Sequence, residues 1–312
     1  MRPALSLPRF KRDAVLATVA FTVLWGGSCR RLPGPARDAA ADLRIMTFNI
    51  RMNTPADGPN AWPWRKDMAA GTISFHRADV AGLQEVLHDQ LLDLVALLPE
   101  YAWVGVGRDD GREAGEYNPI FFRKDRFRLI KSSTFWLSET PDRPGIKGWD
   151  AACARIVTWA RLRDRWTGRT FVAFNTHFDH MGETARRESA RLVLSAMARI
   201  AGNEPAFLTG DFNGTRDTEP YRILVSGAGG GAALRDAREA QAGTPYGPSF
   251  SFNGFNAATA AGLPIDHIFV GPSFTVVRAG ILPGSWAGRF VSDHNPVLAE
   301  VRLARGRKTP RS

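Results

Sequence analysis

Between Leu43 and Leu303 the chain repeats one local pattern: a short apolar run that closes on, or opens from, a polar residue able to do chemistry. Residues 43–50 carry Asn49 near their end, and the buried-looking run 80–84 stops at Glu85. Residues 171–174 lead into Asn175-Thr176-His177, and 206–209 into Gly210-Asp211-Phe212-Asn213. Asp266-His267 opens the run Ile268-Phe269-Val270, and Ser292-Asp293-His294-Asn295-Pro296 opens the alternating stretch 297–303. Singly, each motif reads as turn chemistry, because Asn and Asp favour turns and an Asp-His pair in a turn is usually solvated or capping. Six of them at the ends of apolar runs predict strands whose ends converge on one rim.

The helical signals are fewer. Residues 64–76 read as helix, 88–98 as an apolar-periodic helix stopped by Pro99, and 186–201 as the longest helix, with Leu192, Val193, Ala196, Met197 and Ile200 on one stripe. Further strands are expected at 120–122 and 156–160. Strands of this number with helices after paired sets predict two sheets packed face to face with helices outside. A chain of 312 residues, 44% hydrophobic, is long enough to bury such a core. No internal repeat, heptad run or low-complexity block points to a solenoid or coiled coil.

The first forty residues are built differently. Arg2, Arg9, Lys11 and Arg12 precede an apolar run over 14–25, which is followed by Gly26, Gly27, Ser28 and Cys29. A basic flank, a short apolar stretch and small residues predict a secretory leader over 1–28. The run is shorter than the roughly 20 residues of a membrane span. Cys29 after three small residues resembles a lipoprotein cleavage site, although Gly26 stands where leucine is usual. Residues 29–42 then form a linker, 43–304 one folded domain, and 305–312 a basic tail. The expected location is periplasmic or extracellular, with a lipid on Cys29 as the route to a membrane. With Cys153 as the only other cysteine, a thiolate metal cluster is excluded, and Cys153 is expected to be a buried free thiol. A net charge of +10 suits polyanionic partners: nucleic acid, phosphorylated small molecules or acidic headgroups. No feature points to an obligate protein partner.

The residues at the strand ends suit hydrolysis of a phosphate ester. A hard cation such as Mg²⁺, with Mn²⁺ as the alternative, takes oxygen ligands from one or two carboxylates and from substrate. Glu85, Asn49 and Asp293 supply that ligand type. His294 and His177 can give or take a proton near neutrality, with Asp266 the candidate partner of His294. Asp211 and Asn213 can orient water or phosphoryl oxygens, and Arg155 can neutralise developing charge.

Taken in order, Thr47-Phe48-Asn49-Ile50-Arg51, Leu83-Gln84-Glu85-Val86, Asn175-Thr176-His177, Gly210-Asp211-Phe212-Asn213, Ile265-Asp266-His267-Ile268 and Ser292-Asp293-His294-Asn295-Pro296 resemble the endonuclease/exonuclease/phosphatase superfamily, the deoxyribonuclease I-like enzymes. The resemblance implies a four-layer α/β sandwich with a divalent-metal site at one rim. It implies Glu85 as principal metal ligand with Asn49 and Asp293 in support, and His294, steadied by Asp266, acting on the attacking water. His177 is implied at the phosphate or leaving group, Arg155 and Asn175 as phosphate contacts, and Asp211 and Asn213 as orienting groups. Glu116, seven residues before Arg123, matches the glutamate that pairs with the first catalytic histidine. Arg51, where apurinic endonucleases carry aspartate, argues against a repair enzyme. The substrate expected first is a phosphodiester, in nucleic acid, a nucleotide or a phospholipid headgroup. A phosphomonoesterase, a sphingomyelinase-like hydrolase or a silent phosphate-binding module are the alternatives. Trp136 and Trp149 are read either as stacking platforms or, preferentially, as pins for the long loop between them.

Overall fold

A computed structural model describes residues 42–256, 258 and 261–304. The leader, nearly all of the linker, Cys29 and the tail therefore lie outside the described residues.

Two six-stranded sheets carry the molecule. In the first, β1 (Asp42–Asn49), β2 (Val80–Gln84), β3 (Tyr101–Val104), β4 (Ile120–Arg123), β11 (Phe274–Ile281) and β14 (Val297–Leu303) lie in the order β11-β14-β1-β2-β4-β3. In the second, β5 (Phe127–Trp136), β6 (Ile156–Asp164), β7 (Thr170–His177), β8 (Ala206–Asp211), β9 (Arg235–Asp236) and β10 (Asp266–Val270) lie in the order β5-β6-β7-β8-β10-β9. A small hairpin of β12 (Ser285–Trp286) and β13 (Arg289–Phe290) stands apart. Helices α1 (Lys66–Phe75) and α2 (His88–Leu97) cover one sheet; α3 (Glu183–Ala201) and α4 (Glu219–Ser226) cover the other, and a short α5 (Ala237–Ala240) follows β9.

Alternation along the strands explains the layering. Ile45 joins Val80, Phe171, Phe207, Ile268 and Val301 in the core between the sheets. Its neighbour Met46 faces outward with Phe48, Leu83, Ile73 and Leu91 under α1 and α2. Val172, Phe174 and Leu208 do the same under Val193, Met197 and Leu224 of α3 and α4. The result is the expected four-layer α/β sandwich.

Strand direction explains the rim. β1 and β2 are parallel, as are β7 and β8, so all four end at one edge. β4, β6, β10 and β14 pair antiparallel with β2, β7, β8 and β1, so they begin at that edge. Asn49, Glu85, His177 and Asp211 thus meet Glu116, Arg155, Asp266 and the turn before Val297.

Beneath the rim the sheets are pinned by a polar network. Asn175 Nδ2 donates to the carbonyls of Leu83 (2.7 Å) and Pro119 (3.0 Å), while its Oδ1 accepts from Gln84 Nε2 (2.7 Å) and Thr209 Oγ1 (3.0 Å). A Cβ on Gly82 would fall 2.2 Å from Thr209 Oγ1 and 2.5 Å from Asn175 Oδ1, so only glycine admits this close approach. This corrects the expectation for Asn175. It is fully buried with both ends of its amide bound across the sheets, and it ties layers together instead of touching phosphate.

Candidate active site

The rim opens into a cleft of about 730 Å³ lined by Arg51, Glu85, Arg108, Glu116, Arg155, His177, His180, Asp211, Asn213, Phe252, Asp293 and His294, among others. Among its builders, Arg51 (φ 58), Glu85 (φ 59) and Asn213 (φ 45) turn the chain through left-handed backbone without being glycine. Such strain persists where surrounding contacts over-determine it. Here each side chain is held. Arg51 grips Asp57 through two bonds (3.0 and 3.1 Å), Met52 N donates to Glu85 (3.1 Å), and Asn213 Nδ2 donates to Phe178 O (3.0 Å).

One wall is acidic. Glu85 and Asp293 both lie 3.8 Å from the Arg51 guanidinium. Burial raises the pKa of Asp293 and Glu85's charge raises it further, against the opposing pull of His294. Two carboxylates on one wall of the cleft are a hard oxygen set that suits a divalent cation. Asn49 is a different matter. Its Oδ1 accepts the Arg51 amide (3.0 Å), and its Nδ2 donates to Glu85 (2.9 Å) and Asp211 (3.0 Å). The face it turns to the carboxylates is therefore an NH₂, which cannot ligate a cation. The expectation that Asn49 is a ligand is corrected: it orients two acids.

The floor holds the proton-carrying groups. His294 Nδ1 lies 2.8 Å from Asp266 Oδ2, and its Nε2 lies 3.7 Å from Asp211 Oδ2, room for a shared oxygen. Ligand atoms of Asp211, Asp266 and His294 all fall within 4.8 Å of one another. Burial disfavours the imidazolium, yet Asp266 and Asp211 outweigh it and hold the His294 pKa well above the usual histidine value. Burial, with Asp266 adding and His294 opposing, pushes the Asp211 carboxyl up to about 7.

The opposite wall is basic. His177 is driven well below the usual value by burial first, then by Arg155, His294, Arg108 and His180. Its Nε2 lies 3.1 Å from Asn213 Nδ2, whose other bond to Phe178 O fixes it as a donor. That assigns the proton of neutral His177 to Nδ1, which has no hydrogen-bond partner among the described residues. Glu116 stands beside it at 3.9 Å, beyond hydrogen-bond reach, with its carboxylate taken by Arg108 NH1 at 2.6 Å. Arg155 is 4% exposed; its Nε reaches Asp179 (3.4 Å) and NH2 the His180 ring (3.0 Å), while NH1 is buried with no hydrogen-bond partner among the described residues.

Arg108, Arg51, His180 and Phe252 are among the cleft residues to which the sequence assigned no site role. His180 comes three residues after His177 in the loop that leaves β7, and Arg51 belongs to the first strand's motif; Arg108 and Phe252 carry no such signal. Cys153 is a free thiol, as expected, but half-buried in the cleft wall, not packed in the core. Trp136 is buried with its indole N–H on Arg108 O (2.6 Å), so it pins the loop.

Residues 46–294 match the Endonuclease/Exonuclease/phosphatase family. A solved endonuclease/exonuclease/phosphatase from Bacteroides vulgatus is 45% identical with a TM-score of 0.79, covering 84% of this chain and 99% of that one. A mannosyl-6-phosphatase from Bacteroides thetaiotaomicron is 38% identical with a TM-score of 0.78, covering 84% of this chain and all (100%) of the other. Nocturnin of Drosophila melanogaster is 25% identical over 228 residues, 65% of this chain and 34% of its own length. The chain thus spans about a third of the length of the curated relatives it matches.

Proposed function

Since the chain belongs to the endonuclease/exonuclease/phosphatase family of phosphoester hydrolases, we propose that it cleaves a phosphomonoester of a small polar alcohol with the help of a divalent metal, Mg²⁺ or Mn²⁺. The unpartnered NH1 of buried Arg155 carries this reading. A buried guanidinium donor left open in a cleft is a place for an anionic oxygen. Arg108 and His180 line the same wall and offer a phosphate further donors. The mannosyl-6-phosphatase likeness supports the same choice. Diesters, placed first from the sequence, become the second reading.

Glu85 and Asp293 would hold the metal, which supplies positive charge for the phosphoryl oxygens when bound. The chain's own groups do the rest. Asn49 fixes Glu85 and Asp211 in place. Asp211, titrating near neutrality, takes a proton from an attacking water within reach of both it and His294 Nε2. His294, kept protonated by Asp266, donates Nε2–H to the reacting oxygens. This refines the expectation that His294 is itself the base. His177 offers Nδ1–H to the phosphate. As the water oxygen bonds to phosphorus, the ester oxygen leaves on the opposite side and takes a proton from solvent, while Asp211 returns its own proton to solvent.

A single assay tests the reading: p-nitrophenyl phosphate and bis-p-nitrophenyl phosphate compared with and without metal. We expect faster turnover of the monoester, loss of both activities on chelation, and about a 10- to 100-fold rise in the metal concentration needed by Glu85→Gln. Faster diester turnover would overturn the substrate choice, and activity surviving demonstrated metal removal would overturn the cofactor. The basic flank and apolar run of residues 1–28 support export, with Cys29 as lipid site. Mass analysis of the mature N-terminus checks this, and an intact 1–28 segment would refute it.

A further inference from the structure

Arg51 turns a permanent positive charge toward Glu85 and Asp293, and its surroundings fix it there. Its backbone is held from both sides in the left-handed turn after β1. Asn49 Oδ1 accepts its N–H (3.0 Å), and its carbonyl accepts from Arg65 NH2 (3.0 Å) and Gln90 Nε2 (2.9 Å). The guanidinium is fixed too. Its Nε and NH2 form a fork on Asp57 (3.0 and 3.1 Å), whose side chain is 9% exposed. Asp57 lies in a tight 3-10 segment, Pro55–Asn60, capped by Thr54 at Ala56 N (3.3 Å) and braced by Arg65 Nε at Asn60 O (2.6 Å). So held, Arg51 stops short of both acids. Its NH1 is 3.8 Å from Glu85 Oε2 and its Nε 3.8 Å from Asp293 Oδ2, just beyond hydrogen-bond reach. Arg65 shows the contrast: it is fully buried and donates to the carbonyls of Ile50, Arg51, Asn60 and Val291, so it braces the fold.

We propose that Arg51 is a resident cation that competes with the divalent ion for Glu85 and Asp293, and that Asp57 holds it off both. The inference rests on those carboxylates being the metal ligands, and adds what sets the ion's affinity. A guanidinium is charged at every working pH. An ion on Glu85 and Asp293 shares those carboxylates with it, and like charges repel strongly in a partly buried cleft. Without the ion, Arg51 balances two acids that would otherwise repel each other. Asp57 then has a definite task. By engaging Nε and NH2 it keeps Arg51 from closing onto the acids and shutting the ion out. Loss of the arginine and loss of its keeper should therefore act in opposite directions, which a merely structural turn would not do.

The test measures Mn²⁺ binding to the full chain by calorimetry, without substrate, beside thermal melts that show each variant folded. Arg51→Met should bind Mn²⁺ about 10-fold more tightly than wild type, and Asp57→Asn about 10-fold more weakly. Arg51→Lys keeps the charge but not the fork, and should bind no more tightly than wild type. Unchanged or weaker binding by Arg51→Met, or equal tightening by both Arg51 variants, would overturn the inference. So would Asp57→Asn binding as tightly as wild type; if that variant unfolds, the two Arg51 variants decide alone. Glu85→Gln in the same titration separates the two levels. If it binds Mn²⁺ as wild type does, the ligand reading falls and the inference with it. If it binds weakly while the Arg51 variants match wild type, the inference alone falls.

Discussion

Two aspartate–histidine pairs lie back to back on β10, and they differ in what the second ring nitrogen meets. Asp266 and His267 are consecutive, so their side chains leave opposite faces of the strand. Asp266 turns to His294 at 2.8 Å; His267 turns to Asp236 at 2.7 Å. Both histidines are buried, and both are held above the usual histidine pKa against the penalty of burial. But His267 Nε2 lies 3.2 Å from Gly214 O, and the ring is enclosed by Phe212, Tyr221 and Phe269. His294 Nε2 faces Asp211 across 3.7 Å at the cleft floor. Burial and ion pairing are therefore no mark of a reacting group here. The mark is a donor left unspent where substrate can arrive.

The same substitution at each site separates the two roles. His294→Gln should lower kcat/KM by about 100- to 10,000-fold, the usual range for removing a proton-handling group. His267→Gln should leave turnover by the folded protein within a few-fold and instead cost about 3 kcal/mol of stability, because it breaks a buried pair. In a domain of this size that is a Tm fall on the order of 10 °C. Steady-state kinetics and thermal melts on both variants check the pattern. A crossed result, with His267→Gln inactive at unchanged Tm, would dissolve the distinction.

The two pairs were unequally legible in the chain. Asp266 and Asp293-His294 stand beside apolar runs, so their meeting follows from strand ends sharing a rim. Asp236 sits on the two-residue strand β9, whose pairing with β10 depends on a partner 33 positions on, Phe269 opposite Asp236 to one residue's register. Nothing local announces it. Asn49 and Asn175 show the same limit. Both follow apolar runs, yet one faces the carboxylates and the other a carbonyl 92 residues away, a difference set by the contact between sheets. Among strands, β5 and β11 escaped because bulges at Leu129/Lys131 and Val276/Arg278 break the alternation, and β5 leaves Leu129 and Ile130 exposed at the sheet's edge. The rim itself was legible because reactive side chains cluster in short motifs; Arg108, alone in a loop rich in Gly and Asp, was not.

The smallest effect tests the charge of the enclosed pair. Burial disfavours the His267 cation, but Asp236 reverses this and raises its pKa in the fold. Stability from that shift is complete below the ordinary histidine value and is lost as pH rises through the raised one. For Asp236, burial acts upward but His267 brings the pKa down, so its contribution is complete above the ordinary aspartate value and is lost as pH falls through the lowered one. The Tm gap between wild type and His267→Gln should therefore be widest between about pH 4 and 6.5, where both groups are charged in the fold. It should narrow toward alkaline pH by about 2–4 °C. Asp211 and His294 titrate in both proteins and cancel in the difference. A gap that stays constant across this range would mean that His267 is neutral in the fold, and that charge as well as access distinguishes it from His294.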